Sequence, residues 1–160
     1  MFRPHKRDQY ALRAIFELAK RKGTGPTKIS KIASAQRIPV RFLEVILSQL
    51  KGSGLVASKR GFYGGYALVR DPEDITVGDI FRFMRGEKNN VLCVAGDSDA
   101  HCPFYGNCAL APLWNRVQAA VYDIYDNTTI RDLMNNENSG TDLSAADALV
   151  NGATIDKPNI

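Results

Sequence analysis

Between residues 10 and 69 the sequence sets out three short helices in a row and then two strands around a glycine-rich tip, an order that few small folds accommodate. Ala11, Leu12, Ile15, Phe16, Leu18 and Ala19 recur at helical spacing over residues 10–21, and Gly23, Gly25 and Pro26 end that helix. A second helix is expected from Thr27 to Ala35, with Thr27 as its N-cap and Ile29, Ile32 and Ala33 facing inward. Gln36-Arg37-Ile38 forms a tight turn, and Pro39 opens a third helix at a favoured first-turn position. Its apolar stripe is Leu43, Ile46, Leu47 and Leu50, and Gly52 and Gly54 stop it. Helix, short turn, helix of this size is the helix-turn-helix pattern. The third helix sets Arg41, Glu44, Ser48 and Lys51 against its stripe, so one side can pack while the other reaches a groove.

Strand signals at Leu55–Ser58 and Tyr66–Val69 enclose Lys59-Arg60-Gly61-Phe62-Tyr63-Gly64-Gly65. A glycine-rich tip with two cations is what a DNA-contacting wing needs. Glycine turns sharply and lets backbone approach a phosphate. The cations neutralise phosphates or enter the narrow minor groove. The bland alternative is an ordinary exposed hairpin. Charge bears on the choice: residues 1–90 hold 18 Lys and Arg against 8 Asp and Glu, whereas residues 91–160 hold 3 against 9. A basic half suits a polyanion, a solvated basic surface being the plain alternative. The candidate DNA contacts are Lys28, Val40, Arg41, Glu44, Ser48 and Lys51, with Lys59, Arg60, Gly61 and Tyr63 on the wing. By side-chain chemistry Arg41 pairs with guanine and Glu44 with cytosine.

Asp71-Pro72 breaks the chain, and a helix starts near Thr76 with Asp79 as a capping-box partner. Its stripe is Val77, Ile80, Phe81 and Met84, and Gly86 closes it. A longer helix is expected over residues 109–125, with Leu113, Trp114, Val117, Ala120, Val121, Ile124 and Tyr125 in a wide stripe. A wide stripe outside the compact core suggests a dimer interface, packing on its own domain being the alternative. Thr128 is expected to cap a short helix with Ile130, Leu133 and Met134. The polar run from Asn135 leads into a tail, residues 137–160, in which Ser144–Val150 forms one or two helical turns. The expected fold is mainly α: a winged helix-turn-helix with a small two-stranded β wing and a long C-terminal dimerisation helix. It divides into a DNA-binding domain (1–85), a cysteine-bearing loop (86–108), the dimerisation helix with the short last helix (109–136) and the tail. No stretch of about 18 apolar residues implies a membrane span. No apolar run follows Arg3, Lys6 and Arg7, so the expected location is cytoplasmic.

The loop holds all three cysteines, Cys93, Cys102 and Cys108, within 16 residues. An odd count in a reducing compartment argues against a disulfide framework. Clustered thiolates select zinc, copper(I) or an iron–sulfur cluster. Structural zinc prefers a short C-x(2–4)-C knuckle; here eight and five residues intervene. His101 could complete a zinc site, but it adjoins Cys102 and points away in most backbone conformations. A cluster spans more space and suits the wider spacing; zinc and metal-free redox thiols remain as alternatives. No GxGxxG, GxxxxGK[ST], HExxH or GxSxG motif is present, and nothing marks a substrate pocket around a nucleophilic cysteine, so no enzyme is expected.

These pieces, in order over residues 3–136, resemble the Rrf-two superfamily of bacterial winged-helix regulators, which includes IscR, NsrR and RirA types. The likeness rests on Tyr10-Ala11-Leu12-Arg13, Ile38-Pro39-Val40-Arg41-Phe42-Leu43-Glu44, Gly54-Leu55-Val56, Arg60-Gly61-Phe62-Tyr63-Gly64-Gly65-Tyr66, Asp74-Ile75-Thr76-Val77-Gly78-Asp79-Ile80, the cysteine set with Pro103 after Cys102, and Thr129-Ile130-Arg131-Asp132-Leu133. The resemblance implies a homodimer with crossed long helices on a near-palindromic double-stranded DNA operator. It implies a 2Fe–2S or 4Fe–4S cluster on Cys93, Cys102 and Cys108, reporting iron, redox state or nitric oxide, and often a repressor.

The fourth ligand varies in that superfamily. The His that some members carry three residues after the last cysteine is Ala111 here. The acidic residue that others supply from the partner's first helix, just before the Tyr-Ala pair, is Gln9, with Asp8 one step earlier. One residue turns a helical side chain by about 100°. Asp8, Gln9, His5 and His101 are therefore the candidates, although both histidines are expected to be solvent-exposed. The spacing is more like the NsrR and RirA types. A cluster so held would tie the loop, the long helix and the first helix together and set the separation of two recognition helices, about 34 Å for successive half-sites. The competing readings are a cluster-free thiol- or ligand-sensing regulator of the same fold and, in another class, an iron–sulfur redox protein.

Overall fold

The computed structural model describes residues 4–86, 104 and 107–139. Its elements are α1 (Lys6–Lys20), α2 (Ile29–Gln36), α3 (Val40–Gly52), β1 (Val56–Lys59), β2 (Gly65–Leu68), a 3₁₀ turn at Pro72–Asp74, α4 (Val77–Arg85), α5 (Ala111–Asp126) and α6 (Ile130–Asn138). α1 begins four residues before its apolar period, because Lys6 to Gln9 add no apolar marker. Ala11, Ala14, Ile15 and Leu18 bury it at the centre of the domain, against α2, α3, α4 and α6. Small alanines at 11 and 14 let neighbouring helices close on it. Ile32 and Ala33 of α2 and Leu43, Ile46, Leu47 and Leu50 of α3 complete that side of the core, as their spacing requires.

The turn between α2 and α3 departs in detail from expectation. Arg37 ends α2 in the left-handed region (φ 51°, ψ 44°), and its N–H bonds the Ser34 carbonyl. Ile38 then drops into the core, and Pro39 is the N-cap of α3 rather than its first residue. Below the turn, Glu17 of α1 is buried and accepts from Gln36 Nε2 at 2.9 Å and Arg21 Nε at 2.6 Å. Burial pushes its carboxyl up, but these donors outweigh burial and hold it below the usual carboxylate range. A lowered folded value contributes stability that is full above the unfolded value, about 4.3, and is lost as pH falls through the folded one. Glu17→Gln is expected to cost about 1–2 kcal/mol at pH 7. The difference from wild type should shrink in urea melts as pH falls below the ordinary carboxylate value and through the lowered folded one.

The wing is an antiparallel pair in the register Val56–Leu68, Ala57–Ala67, Ser58–Tyr66 and Lys59–Gly65. Both strands sit one residue off their expected limits, while the Val69 N–H still donates to the Leu55 carbonyl at 2.9 Å. Thr27, expected to cap α2, does something else. Lys28 is the N-cap, and Thr27 exchanges backbone hydrogen bonds with Tyr66 (2.7 and 2.8 Å), fastening β2 to the segment before α2.

Thr76 and Asp79 form the expected reciprocal capping box, and Val77, Ile80, Phe81 and Met84 are buried. α6 is capped by Thr129 rather than Thr128, with Asp132 as the partner, and fully buried Ile130 pins it back to the domain. The strand-like bridge Thr76–Thr129 and the bond from Ile130 N–H to the Ile75 carbonyl (2.9 Å) hold that seat. α5 behaves differently: within the chain none of its residues is buried. It leans on α4 through the Phe81–Tyr125 ring contact and an Arg82–Asp126 ion pair, while Leu113, Val117 and Ile124 stay exposed. Among the described residues no helix is long and apolar enough to cross a membrane.

Candidate functional site

α3 presents three faces. With about 100° between successive residues, the buried Leu43, Ile46, Leu47 and Leu50 define one direction. Arg41, Val45 and Ser48 lie roughly 150–170° away from it, and Lys51 and Phe42 flank that ridge on opposite sides. All five are exposed, as are Val40 and Glu44. Arg41, Glu44 and Lys51 form no ion pair with any described residue, so their charges are unspent. Phe42 tilts against Tyr10 of α1, with centroids 6.4 Å apart.

On the Lys51 side the wing folds toward the start of α2. An open groove of about 590 Å³ runs between them, lined by Lys28, Lys51, Lys59, Arg60, Phe62 and Tyr66 among others. Four of these are cations, so the groove and the α3 ridge make one continuous basic surface. Lys28 Nζ lies 5.0 Å from the Phe62 ring centre, and Phe62 meets Tyr63 edge to face at 5.0 Å. Both rings are about four-fifths exposed. Of the ten DNA candidates, Lys28, Lys51, Lys59, Arg60 and Gly61 line the groove, Tyr63 adjoins it through Phe62, and Val40, Arg41, Glu44 and Ser48 are exposed on α3.

The metal candidates divide. Cys93, Cys102 and His101 lie outside the described residues, as does the Ser144–Val150 turn. Cys108 is half-buried with a free thiol, and its carbonyl accepts the Ala111 N–H at the entrance to α5. Among the described residues no group of three or more His, Cys, Asp or Glu side chains gathers to hold a metal. Of the fourth-ligand candidates, His5 is the exposed N-cap residue of α1 and Gln9 Nε2 donates to the Pro4 carbonyl at 2.9 Å. Asp8 is 1 % exposed, and its Oδ2 takes Arg85 Nε at 2.8 Å. Burial works against the Arg85 charge, but the Asp8 carboxylate more than offsets it and holds Arg85 above its ordinary value. Arg7 adds a bond to the Met84 carbonyl. Two bonds thus join the start of α1 to the end of α4, where the cysteine loop begins. Cys108 fits a ligand role, while Asp8 fits one only by giving up Arg85.

Residues 5–136 match the Rrf2 family, described as an iron-dependent transcriptional regulator. The chain is 38% identical over 125 residues to the HTH-type transcriptional regulator CymR of Bacillus subtilis, covering 78% of this chain and 84% of that one. The chain belongs to the Rrf2 family. Its relatives are named as transcriptional regulators, and they include the HTH-type regulator IscR of Sodalis glossinidius, 30% identical over 129 residues (81% and 76% of the two chains). Among solved structures, that of CymR, the global cysteine regulator of B. subtilis, superposes with a TM-score of 0.67 at 36% identity, covering 89% and 100% of the two chains. T. potens IscR gives 0.69 at 28% identity, covering 88% and 92%.

Family membership accounts for the winged helix-turn-helix, but three residues of this Rrf2 chain escape the sequence reading. Val45 stands in the middle of the outward ridge of α3; its signal was an apolar residue off the Leu43–Leu50 stripe. Phe62 forms the wall of the basic groove; only its place in a cationic tip hinted at that. Arg85 had no signal, since its partner lies 77 positions away.

Proposed function

We propose that this Rrf2-family regulator works as a homodimer on a near-palindromic double-stranded DNA operator, with affinity set by the state of Cys93, Cys102 and Cys108. The observation that carries the DNA reading is the continuous basic face formed by the α3 ridge, the wing and the start of α2. The helix reads base edges in the major groove, while Lys59 and Arg60 engage phosphates or the minor groove. The stripe of α5 supports the dimer, because Leu113, Val117 and Ile124 are exposed.

The cysteines are best read as ligands of a 2Fe–2S or 4Fe–4S cluster that senses iron, redox state or nitric oxide. Such a group supplies a reversible cross-link whose gain or loss shifts the populations of DNA-competent and incompetent dimers. A second reading has its own support: the likeness to CymR, the global cysteine regulator of B. subtilis, favours a cluster-free sensor of thiol state or a small ligand.

One experiment separates them. Protein purified anaerobically is assayed for visible absorbance, iron and sulfide beside Cys102→Ala, and both are titrated onto an operator at several salt concentrations. A brown protein bleached by Cys102→Ala, with operator affinity changed at least tenfold, is the expected result. A colourless protein with free thiols and intact binding transfers the chain to the cluster-free reading. Absence of salt-dependent, sequence-specific binding overturns the DNA reading itself.

A further inference from the structure

We propose that Val45 reads sequence directly, as an apolar contact to the C5-methyl group of one thymine in each operator half-site. The inference deepens the reading of α3 as a recognition helix and rests on it. Val45 is 57% exposed and lies almost opposite the buried stripe, between Arg41 one turn before and Ser48 one turn after. It plays no part in the core, which closes through Leu43, Ile46, Leu47 and Leu50 without it. Single exposed apolar residues are ordinary. What distinguishes this one is its place, on the outward ridge of α3 between Arg41 and Ser48, on a helix whose Arg41 and Lys51 form no ion pair with any described residue.

That setting selects the occupant. Arg41 and Lys51 on the same helix, with Lys28, Lys59 and Arg60 beside it, favour a polyanion over an apolar protein surface. Pressed against base edges, a valine can neither donate nor accept a hydrogen bond. Thymine alone offers it an apolar group in the major groove. Against cytosine or guanine it would strip water from the exocyclic amine or from O6 without replacing it, which costs affinity. Its β-branched side chain is stiff at χ1, so the methyls are held in place before binding. Ser48 is short and does not hold the helix away.

The test starts from operators selected by the full-length protein from random duplexes under anaerobic conditions. Each thymine of the selected half-site is then replaced by deoxyuridine, which removes only the methyl. Affinities are measured for wild type and Val45→Ala, whose exposed site leaves folding intact; circular dichroism melts check this. Wild type is expected to lose about fourfold at one thymine per half-site, the worth of one buried methyl-sized group. Val45→Ala should be insensitive at that thymine alone and should keep the wild-type response at every other position. If both proteins respond alike at every thymine, the Val45 assignment is wrong and the regulator reading stands. If selection yields no operator, both fall together.

Discussion

Arg85→Ala should destabilise the folded chain by about 3–5 kcal/mol, the cost of stranding a buried charge. The Asp8 carboxylate is 1 % exposed and Arg85 is its ion-pair partner. Without the guanidinium, the carboxylate stays in a seat with almost no water. Arg85 also lies over the Phe81 ring, 5.5 Å from its centre, so the truncation removes packing as well. Whole-domain stabilities are about 5–15 kcal/mol, so the variant would be left near the edge of folding, with a melting temperature lower by roughly 10 °C. Replacing both partners with apolar residues, Asp8→Leu with Arg85→Met, should recover most of the loss, because no unpaired charge remains. Urea unfolding at one fixed protein concentration measures both, since dimerisation makes apparent stability concentration-dependent. An Arg85→Ala protein within 1 kcal/mol of wild type would show that the pair carries little energy. The same pair bears on the fourth-ligand candidates: an Asp8 that ligates a cluster must first leave Arg85, and starts with that deficit. Gln9 and His5 do not.

What the sequence made legible follows the range of the interactions involved. The stripes of α1, α2, α3 and α4 were readable because burial of one helix face repeats every three to four residues; the structure buries those residues except Leu12, Phe16 and Ile29, which are half-buried. The Thr76–Asp79 box was readable because both halves lie three residues apart. Thr27 was misread because its side chain suits a cap while its backbone is claimed by Tyr66, far along the chain, and no local signal announces a long-range bridge. Thr128 and Thr129 are equivalent by propensity; Asp132, three residues beyond Thr129, decides between them. α5 was legible as a helix, and its lack of buried residues agrees with a stripe that needs a second surface. At the candidate site, the exposed side of α3 was largely readable, because a helix packed on one face is amphipathic in a local pattern. Asp8 was noticed as an acid near the right place, but its engagement with Arg85 depends on how α1 and α4 pack, which no periodicity encodes.

Gly65→Ala is expected to uncouple the wing from the domain. Glycines in this tip suggested close approach to a phosphate; at Gly65 the close approach is to the protein's own backbone. A Cβ built there would meet the Thr27 carbonyl carbon at 2.5 Å and the Lys28 nitrogen at 2.9 Å, with the Thr27 oxygen closer still. These atoms cannot rotate away as a side-chain tip would. β2 must therefore retreat by roughly 1 Å, which breaks the two Thr27–Tyr66 bonds of 2.7 and 2.8 Å. Each bond contributes about 0.5–1.5 kcal/mol net, and forced overpacking costs about 1–3 kcal/mol, so a loss of roughly 3 kcal/mol is expected. The functional consequence is larger than the thermodynamic one. Lys59 pairs with Gly65, and Lys28 follows Thr27, so one retreat moves both walls of the basic groove apart. Operator affinity should fall at least tenfold at temperatures where the variant remains folded. Gly52→Ala is the control for stability: its Cβ would sit 3.7 Å from Phe83, an ordinary contact, near the end of a helix where alanine is preferred. It should melt at or slightly above wild type. A Gly65→Ala protein as stable as that control, with wild-type operator affinity, would mean that Thr27 and Tyr66 do not anchor the wing.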